Sequence, residues 1–338
     1  MANIAIFNDT TGDRGHYGCL AVMENLRHCL NVRGLTPTFA FPFDRDWRES
    51  RRELPKVGSI DCIIVNGEGS MHSSRTRWRA SALSQVGTLG SQTYRVPTFL
   101  INASFHGNEP DFYNDLRNFD AVFVRDTYSR DLAARFGVAC RVVSDLTLSR
   151  NVTCLPSIRR GIGITDSVKP ECDRMLRRIA RESGSDFCAM TLPAVKAITI
   201  GRALNPVFWL RRNEDKRLAK QRLFEDVDSF IRWIASKELI LTGRYHTVTL
   251  CLLTQTPFAC VNSNTPKIRS LLYDWGVSEE RIKSIDDLNR LSVEGGYPFS
   301  ADEISSIGKC QQVTSVKTSE MFDLIAKAAR DRPRQKSF

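Results

Sequence analysis

The sequence predicts an α/β protein of two similar domains, each a parallel sheet wound on both faces by helices. Three observations carry this. The chain has 338 residues, more than one core usually spans and enough for two. Short, wholly apolar runs alternate with longer amphipathic ones, the pattern of a parallel sheet covered on both sides. That pattern restarts at Arg160-Gly161-Ile162-Gly163-Ile164. The domains are therefore expected to span 1–155 and 156–338.

In the first half, Ile4–Phe7 reads as a buried strand. A helix follows over roughly 16–33 and stops at Gly34, because glycine closes a helix in the left-handed conformation without strain. The runs LTPTFAF, IDCIIVNG, VPTFLIN, DAVFVRD and CRVVSD read as further strands, with a short helix, TYSRDLAARF, between the last two. In the second half the reading is helix 170–183, strand DFCAMTL, helix 224–236, strand ELILT, helix 246–254, strand PFACVN and helix 266–274. Residues 196–223 are the least regular. A last helix, over about 319–330, is expected to pack back on the seam between the domains.

Composition narrows the function classes. Hydrophobic residues make up 42% and charged residues 25%, ordinary for a soluble globular chain. No run reaches the eighteen apolar residues of a membrane span, and the first residues carry neither the basic nor the apolar region of a signal peptide. A cytoplasmic location is the expectation. The ten cysteines have no C-x-x-C pair, so reduced, buried thiols are expected rather than disulfides or zinc, and no metal site is expected. The net charge of +10 suits nucleic acid, an anionic membrane or an anionic small substrate. With no zinc finger, RNA-recognition signature or arginine-rich arm, nucleic acid is set aside. Val207-Phe208-Trp209-Leu210-Arg211-Arg212 and the basic stretch from Arg330 to Lys336 are candidates for peripheral contact with an anionic membrane at its inner face.

In such domains ligands bind beyond the carboxyl ends of the strands, in the cleft between them. Four of the five histidines, His16, His72, His106 and His246, fall in strand-end loops. The stretch Leu241-Thr242-Gly243-Arg244-Tyr245-His246 joins an apolar strand to an apolar helix. A guanidinium in a first helical turn, with free N–H groups beside it, can clamp a phosphate or carboxylate. Two other roles remain open: Arg244 could pair with a core aspartate and His246 could cap the helix. Gly67-Glu68-Gly69 would let a ligand approach the backbone, but it lacks the lysine and the spacing of a nucleotide-binding loop.

Together these motifs resemble the polysaccharide pyruvyl transferase family. The most specific part is Thr242-Gly243-Arg244-Tyr245-His246, then Pro266-Lys267-Ile268 and a leucine-rich helix ending before Gly276. Gly12-Asp13, the turn Asn66-Gly67-x-Gly69, Val124-Arg125-Asp126 with Ser129, and Asp145 also match. The departures are GDRGHYG after the first strand, Glu68 where the family's turn has glycine, and Asn102–Gly107 where it has Q-S-x-G-P. They concentrate in the N-terminal half and so bear on the acceptor.

The resemblance implies a fold similar to the GT-B glycosyltransferases, two Rossmann-like domains facing a cleft. It implies transfer of the pyruvyl group of phosphoenolpyruvate to a sugar diol of a glycan or lipid-linked saccharide. The product is a cyclic ketal, phosphate is released, and neither cofactor nor metal takes part. His246, Arg244 and Asp13 are the expected catalytic residues. Arg244, Lys267, Arg125, Asn262 and Ser263 are expected to bind the donor. Asn8, His16, Gly67, Glu68, Ser104, His106 and Asp145 are expected to line the cleft or the acceptor side, with Asp13, Glu68 and His106 as candidate bases. The alternatives are a nucleotide-sugar glycosyltransferase, whose E-x₇-E pattern is not found, and a non-catalytic glycan-binding protein, which would have no need of Arg244 and His246.

Overall fold

A computed structural model describes residues 2–12, 16–152, 158–190 and 224–331. The described strands form two all-parallel sheets. The first contains β1 (Ala2–Asp9), β2 (Leu35–Pro42), β3 (Cys62–Asn66), β4 (Thr98–Ala103), β5 (Ala121–Val124) and β6 (Cys140–Val142), in the order β2-β1-β3-β4-β5-β6. The second contains β7 (Ile162–Ser167), β8 (Asp186–Phe187), β9 (Leu239–Gly243) and β10 (Phe258–Cys260), in the order β10-β9-β7-β8. Ile4, Ala5, Ile6 and Phe7 of β1 are all fully buried, because helices cover both faces of a parallel sheet and a strand in it must be apolar throughout. The fold is α/β and GT-B-like, as the sequence predicts.

The strand orders fix where a site can lie. In the first sheet the winding reverses between β1 and β3, and in the second between β7 and β9. Such a reversal opens a crevice beyond the carboxyl ends of the two strands. The loops at these ends are 8–12 and 66–70 in one half, and 166–169 and 243–246 in the other.

The helices used below are α1 (Tyr17–Asn31), α2 (Trp78–Ser84), α3 (Pro110–Leu116), α4 (Thr127–Ala134), α5 (Pro170–Ser183), α6 (Val227–Ala235), α7 (Tyr245–Leu253), α8 (Lys267–Asp274), α9 (Ile285–Glu294) and α10 (Ala301–Arg330). The two halves share apolar surface. Tyr17 and Ala21 of α1 and Leu148 sit in one core cluster with Phe230, Tyr245 and Val248 of the second half. The Tyr17 ring stacks on Phe230 at 4.5 Å, and its hydroxyl donates to the Phe224 carbonyl at 2.9 Å. The Thr147 hydroxyl donates to the Thr249 hydroxyl at 2.7 Å where both are buried.

The last helix is longer than its apolar content indicates. The sequence reading starts it near 319, whereas α10 begins at Ala301, closed by a reciprocal Ser300–Glu303 capping box. Its first half exposes Val313 and Val316 and buries only one stripe, with Ile307 in the core of the second half. Its second half puts Met321, Phe322, Ile325, Ala326 and Ala329 into the core around β1 and α1. The stretch 207–212 and the tail beyond 331 lie outside the described residues, so the expected membrane contacts of both do as well. Among the described residues, no helix is long and apolar enough to cross a membrane.

Candidate active site between facing strand ends

The floor of the site is built by three asparagines at the ends of β1, β3 and β4. Asn8 and Asn102 adopt left-handed backbone (φ 64° and 57°), a region asparagine tolerates better than most residues. Asn8 Nδ2 donates to the Asn66 carbonyl and, at 3.3 Å, to that of Glu68. Asn102 Nδ2 donates to Asn66 Oδ1 at 3.4 Å, and Asn102 Oδ1 accepts the Leu146 N–H at 3.2 Å. Gly67 presses against β4: a Cβ there would lie 2.5 Å from that of Ala103. This packing fixes the turn that projects Glu68 inward. Glu68 is buried, and its Oε2 accepts the Thr10 hydroxyl at 3.0 Å.

From the other half, β9 runs into α7 with Arg244 at the N-cap, so His246 stands one residue inside the helix. The imidazole is buried, with Nε2 3.4 Å from Glu68 Oε1 and 3.7 Å from Asp145 Oδ2. Neither His246 Nε2 nor Glu68 Oε1 has a hydrogen-bond partner, an unusual state for buried polar atoms. α1 approaches His246 so closely that a Cβ on Gly18 would fall 2.4 Å from its ring. His16 caps α1, its Nδ1 accepting the Cys19 N–H at 3.1 Å, and stands edge-on to His246 with ring centres 5.5 Å apart. Burial, then the nearby His246 and Arg244, hold the His16 pKa well below the ordinary histidine value.

Cations surround this centre. Arg125 is buried and donates from Nη1 to Asp145 Oδ2 at 2.7 Å and from Nε to Ser104 Oγ at 3.1 Å. Ser104 in turn donates to Asp126 Oδ2 at 2.8 Å. The Tyr245 ring gathers two cations, with the Arg125 guanidinium 4.7 Å and the Lys267 ammonium 5.5 Å from its centre. Burial would raise the Asp145 pKa, but His246 and Arg125 outweigh it and hold the carboxyl far below the usual range. Burial, reinforced by Arg125 and Arg244, lowers Lys267 from 10.5 to about 8. Arg244 donates from Nε to Asp166 Oδ2 at 2.9 Å and from Nη2 to the same oxygen. The aspartate partner left open by the sequence therefore exists. Asp166 ends β7, so this ion pair ties together the strands of the second switch point.

The structure brings His246, Glu68, Asp145, Arg125, Lys267, His16 and Arg244 to one centre. Ser104 and His106 line the adjoining cleft together with His72, Arg125, Asp126, Tyr128 and Lys267. Asn8 and Gly67 shape the floor and do not face the cleft. Asn262 is exposed, and buried Ser263 donates to Asn264 Oδ1 at 3.1 Å. Neither is among the residues that line that cleft, whereas Thr265, Pro266 and Lys267 are. Asp13 lies outside the described residues. Sequence reasoning missed Thr10, Asp166 and Gly18. Thr10 and Asp166 stand at strand ends, a signal that was available. Gly18 lies inside a helix and gives none.

The profile of a known family, Polysaccharide pyruvyl transferase, matches residues 16–265. No curated protein sequence matches the chain. Among solved structures, a candidate UDP-N-acetylglucosamine 2-epimerase of Listeria monocytogenes is similar at 11% identity and a TM-score of 0.52, over 99% of this chain and 98% of that one. The UDP-GlcNAc 2-epimerase of Neisseria meningitidis bound to UDP-GlcNAc is similar at 11% identity and 0.51, over 95% and 100%. At such identity these likenesses carry the fold alone. The matched span is most of the chain and holds Arg125, Asp145, Arg244 and His246: the chain belongs to the polysaccharide pyruvyl transferase family of enzymes.

Proposed function

We propose that the enzyme takes phosphoenolpyruvate as donor and forms a cyclic pyruvate ketal on a sugar diol of a glycan or lipid-linked saccharide, with release of phosphate. The observation that carries this reading is the convergence of Lys267, Arg125 and Arg244 around one buried histidine. Phosphoenolpyruvate carries a phosphate and a carboxylate, and a desolvated site binds two such groups only with cations in place. Arg125 and Arg244 are oriented by Asp145 and Asp166, while Lys267 makes no ion pair among the described residues.

The chemistry needs one proton delivered to C3 of the donor and one removed from each attacking hydroxyl. The first hydroxyl adds to C2, phosphate departs with a proton, and the second hydroxyl closes the ring. Overall, one hydroxyl proton ends on the new methyl group and the other on phosphate. His246 is the group proposed to move the proton at the donor. Glu68, whose Oε1 lies 3.4 Å from His246 Nε2, is proposed as base for a hydroxyl. Asp145, held ionised 3.7 Å from His246 Nε2, is proposed to stabilise the imidazolium that forms during proton transfer.

Thermal melting in EDTA tests the donor. Millimolar phosphoenolpyruvate is expected to raise Tm by mass action. No shift with phosphoenolpyruvate, alongside a shift with UDP-GlcNAc, would transfer the reading to a nucleotide-sugar donor on the same fold.

A further inference from the structure

His16 enters the centre from the first half, but its backbone is held from the second. The Tyr17 N–H, at the start of α1, donates to the Met190 carbonyl at 3.1 Å. The Met190 N–H donates to Asp166 Oδ1 at 2.7 Å, and Asp166 Oδ2 accepts Arg244 Nε at 2.9 Å. The start of α1 is therefore registered against the strand end that orients Arg244. With its ring centre 5.5 Å from that of His246, His16 would have to break this chain of bonds to leave the centre.

The helix cap decides the tautomer. His16 Nδ1 accepts the Cys19 N–H at 3.1 Å, so that nitrogen carries no proton. A neutral imidazole then holds its one proton on Nε2. A second proton, on Nδ1, would displace the Cys19 N–H and face the positive end of α1. Burial, then His246 and Arg244, oppose it further. The ring is half-buried, and Nε2 has no hydrogen-bond partner among the described residues. The two ring nitrogens diverge, so the Nε2–H points away from the first turn of α1. His16 can thus donate one hydrogen bond, and it is neither a base nor a charge.

Lys267, Arg125 and Arg244 already supply charge for a static anion. A neutral N–H adds little to ground-state binding. It adds most at an oxygen whose charge grows during the reaction, and a neutral imidazole at a helix N-terminus can serve in that way. The geometry points to His16 as a further catalytic residue, whose Nε2–H donates to the phosphoenolpyruvate oxygen that gains negative charge as phosphate departs; this rests on the donor reading above. His16 keeps its proton throughout, and His246 remains the group that moves one.

Two substitutions and one spectrum test it. Asparagine is among the best helix caps but has no N–H where Nε2 stands. His16→Asn should melt as the parent does, keep KM for phosphoenolpyruvate within about threefold and lower kcat by about 10²-fold, the loss of one such hydrogen bond. His16→Ala loses cap and N–H together, and should melt lower with a similar drop in kcat. Nitrogen NMR of the full chain with isotope-labelled histidine gives a readout that a capping role would not share. The His16 signals, assigned by their absence from the Asn variant, should show a bare Nδ1 and a protonated Nε2. They should hold that state as pH falls through 6.5, the ordinary histidine value, and should shift when phosphoenolpyruvate binds. An Asn variant with near-normal kcat would overturn the proposal and leave His16 as a cap alone. A proton found on Nδ1, or a second proton gained near pH 6.5, would overturn it however the variants fold. A parent protein that ignores phosphoenolpyruvate, while its Nε2–H signal moves with UDP-GlcNAc, would keep His16 as the hydrogen-bond donor and remove the phosphoenolpyruvate assignment.

Discussion

Glu68 Oε1 and His246 Nε2 face each other at 3.4 Å across the junction of the two halves, both buried and neither hydrogen-bonded. A buried polar atom left unpaired is worth roughly 1–3 kcal/mol to the folded state if it finds a partner. On the proposed reading, the substrate completes the bonding of these two atoms. If Glu68 serves as base there, Glu68→Gln keeps the shape and removes the charge. Turnover should fall by about 10²–10⁴, the range of a general base, with KM for the donor little changed. Glu68→Asp should recover part of the activity. A Gln variant with near-normal kcat would reduce Glu68 to a packing role.

Gly18 allows α1 to approach His246. Gly18→Ala would ordinarily favour a helix by about 1 kcal/mol, but its Cβ would fall 2.4 Å from the His246 ring, and overpacking costs about 1–3 kcal/mol. The variant is expected to lose stability in urea unfolding and to lose activity more than stability, because the imidazole must move. A variant at least as stable as the parent and fully active would show that α1 and α7 slide apart freely.

Lys267 gives a pH dependence of opposite sign for binding and for stability. Its folded-state pKa is about 8 against an ordinary 10.5. Between those values the unfolded chain holds more protons, so this group's contribution to stability rises with pH through that window. Donor binding needs the ammonium. The dissociation constant of phosphoenolpyruvate should therefore rise as pH climbs past 8, approaching tenfold per unit, and Lys267→Met should bind weakly and lose the dependence. Affinity that stays flat from pH 7 to 9.5 would take Lys267 out of the donor pocket.

The fold was legible because β1, β3 and β9 are buried on both sides and must be apolar throughout. The candidate site was legible where chemistry sits at strand ends, as with Arg125, Asp145, Arg244 and His246. Two kinds of information were not. Which pairs meet depends on packing between the halves: nothing near Glu68 in the chain announces His246, 178 positions on, or assigns Asp166 to Arg244. The first half of α10 was missed because a helix lying on the surface needs only one narrow apolar stripe, here Ile307 with Thr314 and Thr318 beneath it. Asn262 and Ser263 looked equivalent to Lys267 in the same loop. Only the path from β10 to α8 separates them.

Transfer of labelled pyruvyl from phosphoenolpyruvate to a glycan or lipid-linked saccharide, followed together with phosphate release, tests the central claim most directly. The account predicts that the saccharide gains label in proportion to the phosphate released, that the product carries an acid-labile ketal, and that His246→Ala abolishes both while melting normally. Release of a nucleotide from a sugar donor, with phosphoenolpyruvate left intact across the same acceptors, would contradict it.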